Sequence, residues 1–176
     1  MEHYAQVVAS TLPAEADRAT CQAAQITSGL GQADPGPEPT GPEPTGPEPS
    51  RREPTHGDFY ETQILVDRGR LTGLLDVDTV GPGRRADDLA CLVAHTEVLA
   101  QIEPEHAATT AAVTERMVRE FDRRVDPVEL RLRVAGVLMS LATGPYRVQE
   151  AAWAPATAAR LDLVQRWLDR AAERAG

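Results

Sequence analysis

The chain has 176 residues, a formal net charge of −9 and a sequence pI near 4.9. Its length suffices for one modest hydrophobic core, so we expect one domain with an appendage. An acidic chain repels polyanions, which excludes a broad nucleic-acid or membrane surface and favours a small-molecule partner. All 18 basic residues are arginine, so there is no lysine to anchor a phosphate.

The cysteine content indicates a reducing compartment. Cys21 and Cys91 are too few for a disulfide framework or a structural zinc site. No run approaches the roughly 20 apolar residues of a membrane span, and no basic-then-apolar leader is present. We therefore expect a cytoplasmic protein.

The first third of the chain changes composition abruptly. Residues 2–25 carry apolar side chains at loosely helical intervals, and Pro13 either kinks the segment or opens a second short helix. From Gly36 a Gly-Pro-Glu-Pro-Thr/Ser pentapeptide occurs three times, a composition typical of extended, solvated chain. We predict a helical segment at 1–27, a disordered linker at 28–54 and the main domain at 55–176.

The main domain begins with a hairpin pattern. Short apolar runs at 63–67 and 71–76 flank Arg68-Gly69-Arg70, in which Gly69 can adopt a positive φ. Beyond Gly83 apolar residues recur every three or four positions. This predicts helices at 86–101, 105–124, 127–142 and 155–175. The expected fold is α+β, mainly α: a helical bundle with a small β-hairpin.

Polar residues lie at both ends of the predicted hairpin. Asp58 and Gln63 precede the first strand, and Asp76 and Asp78 follow the second. If the strands pair, the two loops are adjacent, so three carboxylates and an amide oxygen converge. Oxygen ligands of this kind suit Mg²⁺, and one aspartate could accept the proton of a nucleophile. The pattern favours phosphoryl transfer.

The spacing agrees with this interpretation. His56-Gly57-Asp58 is followed by Gln63 at the offset that separates His-Arg-Asp from asparagine in protein kinases. The amide side chain is one methylene longer than asparagine.

Several motifs in this order resemble one family. They are His56-Gly57-Asp58, the hairpin, Gly73-Leu74-Leu75-Asp76, Gly81-Pro82-Gly83 and Asp87-Asp88-Leu89-Ala90. Together they are similar to the aminoglycoside phosphotransferase and choline kinase family, closely over residues 55–95 and loosely to the C-terminus. The resemblance implies the C-terminal lobe of a protein-kinase-like fold, with the hairpin carrying the catalytic and metal loops.

The resemblance also implies roles for three of these residues. Asp58 would be the catalytic base, Gln63 would occupy the position of a metal-binding asparagine, and Asp76 would be the principal Mg²⁺ ligand. ATP or another nucleoside triphosphate would donate the phosphoryl group.

Three further residues complete the expected site. Asp78 is either a second metal ligand or a solvated turn residue. His56 is expected to orient the loop. Asp88 is implied as the brace of the catalytic loop, while Asp87 or Asp88 is also expected to cap the following helix.

The region before His56 has neither the strand lysine nor the phosphate-covering loop of such kinases. We therefore expect a C-terminal lobe without its N-terminal lobe, through a truncated gene, a misplaced start or a two-chain enzyme. A separate N-lobe or an oligomer partner would then complete it.

Three functions remain open: an ATP- and Mg²⁺-dependent phosphotransferase acting on a small-molecule hydroxyl, a non-catalytic remnant or substrate-binding module, and a metal-dependent hydrolase. The substrate is not indicated.

Overall fold

A computed structural model describes residues 1–33 and 53–176, which form helices and two small sheets. The helices are α1 Glu2–Thr11, α2 Ala16–Ala33, α3 Arg85–Ile102, α4 Ala107–Phe121, α5 Pro127–Leu141, α6 Gly144–Arg147 and α7 Trp153–Ala175. The strands are β1 Glu53–Thr55, β2 Ile64–Asp67, β3 Arg70–Leu74 and β4 Gly81–Gly83. This confirms the mainly helical α+β class. Of the helices in these two stretches, none has the length and apolar character needed to cross a bilayer.

Helix α5 lies at the centre of the bundle and packs against α2, α3 and α7. Most of its residues are buried because other helices surround it. The buried apolar residues are Leu130, Leu132, Val134, Ala135, Leu138 and Met139. The Asp126 side chain accepts the Glu129 N–H at 2.7 Å, and Pro127 opens the first turn. The predicted helix start at Pro127 is confirmed.

The N-terminal helices belong to the same core. Val8 of α1 and Ile26 of α2 are buried in it, and the Gln22 side chain donates to the Leu161 main-chain oxygen of α7 at 3.0 Å. The chain breaks at Pro13 in a 3-10 turn, as predicted, but α2 is a long helix that continues to Ala33. The helical segment therefore extends beyond residue 27, where its end was predicted. The pentapeptide repeats lie outside the described residues.

The hairpin is confirmed, with a tighter turn than predicted. Strands β2 and β3 are antiparallel, with Ile64 opposite Leu74 and Asp67 opposite Arg70. The turn is therefore two residues, Arg68 and Gly69, whose φ angles of 49° and 75° are both positive. Such turns match the natural twist of the two strands.

A second pair of strands was not predicted. Strands β1 and β4 are antiparallel, with Glu53 opposite Gly83 and Thr55 opposite Gly81. The sequence had assigned residues 53 and 54 to the linker, because proline-rich chain rarely pairs. Here the pairing of β1 with β4 brings together the two ends of the segment 56–80. Strand β4 is followed directly by α3.

Candidate active site

Asp88 holds the segment that leads to Asp58. Its Oδ2 accepts the main-chain N–H of His56 at 2.7 Å, and its Oδ1 accepts that of Gly57 at 2.9 Å. Bonds to a charged acceptor are stronger than neutral ones. Gly57 has a φ of +87°, and a Cβ there would lie 3.1 Å from Thr79. The two bonds thus fix a tight turn against the first turn of α3.

The expectation that Asp87 or Asp88 caps α3 was wrong. The helix begins at Arg85, preceded by Arg84, whose side chain makes no capping bond. Both aspartates therefore lie inside the first turn, too far along the helix to serve as its N-cap. Asp87 pairs with Arg133 of α5 instead.

His56 joins the two loops at the ends of the hairpin. The ring is 5 % exposed, and its Nε2 lies 2.8 Å from the main-chain oxygen of Leu75. Since a carbonyl oxygen only accepts, Nε2 carries a proton in this contact. Nδ1 is buried and has no hydrogen-bond partner among the described residues. The Thr79 hydroxyl donates to the His56 main-chain oxygen at 2.6 Å, a second link between the loops.

The three predicted metal ligands lie on these linked loops. Gln63 is buried at the end of a 3-10 turn, and its main-chain oxygen accepts the Leu75 N–H at 2.9 Å. Asp76 has a left-handed backbone with a φ of 51°, and Asp78 lies in the next 3-10 turn. Both aspartates are exposed, and within residues 1–33 and 53–176 neither carboxylate has a hydrogen-bond or ion-pair partner.

Asp58 lies among different side chains from those predicted. Ligand atoms of Asp58, Cys91 and His95 all lie within 4.8 Å of one another. Asp76 and Asp78 are not members of this cluster. The described structure therefore does not bring the three predicted carboxylates into one group at that spacing.

Cys91 and His95 were not identified as site residues from the sequence. They lie one turn apart on α3 and so share a face of the helix. The Cys91 thiol donates to Asp58 Oδ1 at 3.9 Å, and the Tyr60 ring stacks on His95 with centroids 4.2 Å apart. Their spacing of four was a visible signal, whereas their approach to Asp58 depends on how α3 docks against the loop.

Burial and negative charge control the protonation of this cluster. Burial, followed by the charges of Asp58 and Asp88, raises the pKa of Cys91 to about 12, so the thiol is protonated at neutral pH. Burial lowers the pKa of His95 against the opposing effects of Glu61 and Asp58, so its imidazole is neutral. Oε2 of Glu61 is buried and, in the described part of the chain, has no hydrogen-bond partner.

The chain was compared with known protein families. Residues 42–121 match the model of the phosphotransferase enzyme family. The matched segment includes the hairpin, both loops and the α3 residues described above. The match confirms the family resemblance that the order of the motifs predicted. No curated protein and no solved structure matches the chain.

Proposed function

We propose that the loops at 55–83 and helix α3 form the catalytic and metal-binding part of an ATP- and Mg²⁺-dependent phosphotransferase acting on a small-molecule hydroxyl. The observation that carries the proposal is the pair of bonds from His56 and Gly57 to Asp88. They fix the approach to Asp58 within the segment that matches the phosphotransferase family.

Asp58 would be the catalytic base. Phosphoryl transfer to an alcohol needs a carboxylate that orients the hydroxyl and accepts its proton. Asp58 is half-buried, and its Oδ1 receives the weak Cys91 donor. No hydrogen bond to Oδ2 comes from the residues that the structure describes, so this oxygen would be available to the substrate.

Asp76 and Gln63 would hold the Mg²⁺, with Asp78 as a second carboxylate. The donors fit the ion, because Mg²⁺ typically takes one or two carboxylates together with substrate phosphate oxygens. Two exposed carboxylates on one short loop, which have no partner among residues 1–33 and 53–176, meet that need. When bound, the ion would neutralise charge on the phosphates.

Exposed apolar side chains on and beside the hairpin favour a second lobe or chain that binds there. Leu65, Val66 and Leu71 are 46, 62 and 64 % exposed, and Leu75 and Val80 beyond the hairpin are 44 and 52 % exposed. Exposed apolar clusters of this kind commonly mark interaction surfaces. A nucleotide-binding lobe seated there would also supply the lysine that this chain lacks.

Nucleotide binding by the full chain tests the metal assignment. We expect calorimetry to detect ATP binding that requires Mg²⁺, and Asp76→Asn to abolish that binding. Asp67→Asn is a matched control, because Asp67 is an exposed carboxylate on the same hairpin, at its other end. Mg²⁺-dependent binding that is unchanged in Asp76→Asn, or absent from the wild-type chain, contradicts the assignment.

A transfer assay tests the reaction. With a panel of alcohols as acceptors and labelled ATP, we expect label in the alcohol, and Asp58→Asn should lower the rate roughly 10²–10⁴-fold. Label released as free phosphate without any acceptor would indicate a hydrolase. Binding of an alcohol without nucleotide binding would indicate a substrate-binding module.

A further inference from the structure

The cluster of Asp58, Cys91 and His95 offers three different ligand types in one place. A carboxylate oxygen, a sulfur and an imidazole nitrogen lie within 4.8 Å of one another. Cys91 and His95 are fixed on an 18-residue helix, and the Asp88 bonds fix the turn before Asp58. The three ligand positions are therefore largely set by the fold.

We propose that Asp58, Cys91 and His95 form a binding site for a thiophilic divalent cation such as Zn²⁺. Zinc accepts all three ligand types, whereas Mg²⁺ prefers oxygen alone. The Cys91 Sγ and Asp58 Oδ1 atoms are 3.9 Å apart. Tetrahedral zinc, with bonds of about 2.3 Å to sulfur and about 2.0 Å to oxygen, places such atoms about 3.5 Å apart. A shift of a few tenths of an ångström would bring this pair of atoms to that spacing.

The surrounding charges favour a cation. Asp88 and Glu61 act electrostatically on Cys91, and Glu61 acts on His95 as well. Glu61 Oε2 is buried and, among the described residues, lacks a hydrogen-bond partner. The opposing charge is Arg160, which also acts on His95 but donates to the Leu141 main-chain oxygen at 2.6 Å. Partly buried anionic groups in excess of their partners are stabilised by a bound dication.

The proposed site needs only one cysteine, because Asp58 and His95 supply the other two protein ligands. Three protein ligands leave a fourth position for water or substrate, unlike the closed sites of structural zinc. On binding, the Cys91 S–H bond breaks, a sulfur–metal bond forms and the proton passes to the buffer. Binding would also occupy the Asp58 carboxylate and so inhibit transfer. That consequence rests on the proposed function, but the site itself does not.

Cobalt titration of the metal-free full chain tests the site, because Co²⁺ bound to a thiolate gives a sulfur-to-metal charge-transfer band. We expect one Co²⁺ per chain, this band, proton release to the buffer, and displacement by Zn²⁺ but not by Mg²⁺. Cys91→Ser should abolish the band, and His95→Gln should weaken binding at least about tenfold. Cys21→Ser is the matched control, since Cys21 is exposed on α2 and should leave the band intact.

Absence of a band in the wild-type chain, or its persistence in Cys91→Ser, overturns the site. If circular dichroism shows that Cys91→Ser does not fold, the test relies on His95→Gln. An unchanged affinity of His95→Gln for Co²⁺ would then overturn the site. Asp76→Asn separates the two proposals, because it should abolish Mg²⁺-dependent ATP binding and leave the cobalt band in place. A cobalt band without nucleotide binding would contradict the proposed function alone.

Discussion

The Asp88 carboxylate lies 2.7 Å from the main-chain nitrogen of His56 and uses its other oxygen for the next amide. Helix α3 and the loop to Asp58 are joined by this one side chain, although 32 residues separate Asp88 from His56. The position of the proposed base therefore depends on a residue that does not need to touch substrate.

Replacing Asp88 should loosen the loop. In Asp88→Asn only one side-chain oxygen remains to accept a hydrogen bond. The NH₂ group that replaces the other oxygen cannot accept one, so one main-chain N–H loses its partner. We expect a loss of roughly 1–3 kcal/mol for the unsatisfied donor. Hydrogen exchange of the His56 and Gly57 amides should accelerate. In Asp87→Asn, which removes only the neighbouring pair with Arg133, those two amides should remain protected. Equal protection in both variants would show that the bonds to Asp88 do not hold the loop.

Gly57→Ala should destabilise the same turn. A positive φ costs an L-residue roughly 1–2 kcal/mol, and the new Cβ would lie 3.1 Å from Thr79. Urea unfolding monitored by circular dichroism measures the change. Gly31→Ala is the control, since Gly31 lies in α2 and no atom of the described residues lies within 4 Å of an added Cβ. Alanine there should stabilise by roughly 0.5–1 kcal/mol. A Gly57→Ala protein as stable as the parent contradicts the described turn.

The Asp122–Arg131 pair should make stability depend on pH. Arg131 is 2 % exposed, and its two terminal nitrogens donate to the Asp122 carboxylate at 2.7 and 2.9 Å. These bonds hold the pKa of Asp122 below its ordinary value, against the opposing effect of burial. A carboxyl whose pKa is lower in the folded state stabilises the fold above its unfolded pKa, about 3.9. This stability is lost as the pH falls through the folded pKa.

Asp122→Asn should remove that pH dependence and cost on the order of 3 kcal/mol at neutral pH, because Arg131 would be left buried and unpaired. Thermal unfolding between pH 2 and 7 gives both values. Glu120→Gln, at an exposed carboxylate that pairs with Arg123 and Arg124, should change stability much less. If Asp122→Asn and Glu120→Gln lose the same stability, burial of Arg131 does not increase the contribution of the Asp122–Arg131 pair to the free energy of unfolding.

The two cysteines should differ in reactivity. Cys91 is buried and its pKa is raised to about 12, whereas Cys21 is exposed. At pH 8 a thiol with that pKa is on the order of 10⁻⁴ thiolate, and thiolate is the form that alkylating reagents attack. Mass spectrometry after iodoacetamide treatment should find one modification, on Cys21, and two in urea. Rapid native labelling of Cys91 would contradict the described burial.

Local patterns predicted the hairpin and four of the five helices described between Arg85 and Ala175, the exception being the short α6. The Arg68-Gly69 turn and the short apolar runs specify a hairpin because turn type and strand pairing act over a few residues. The helix starting at Pro127 follows from its cap and first-turn proline. The error at α2 has the same origin: Ala16–Ala33 is weakly apolar, and its burial against α5 and α7, rather than its own pattern, makes it a long helix.

By itself the sequence determined the order of the motifs, and with it the resemblance to the phosphotransferase family that residues 42–121 match and Asp58, Gln63 and Asp76 as candidates. It did so because these residues flank one hairpin, where neighbours in the chain are neighbours in space. Only the tertiary structure placed Cys91 and His95 beside Asp58 and paired β1 with β4. Those contacts join residues about thirty positions apart, so they depend on how α3 packs against the loop, and no short-range pattern encodes that.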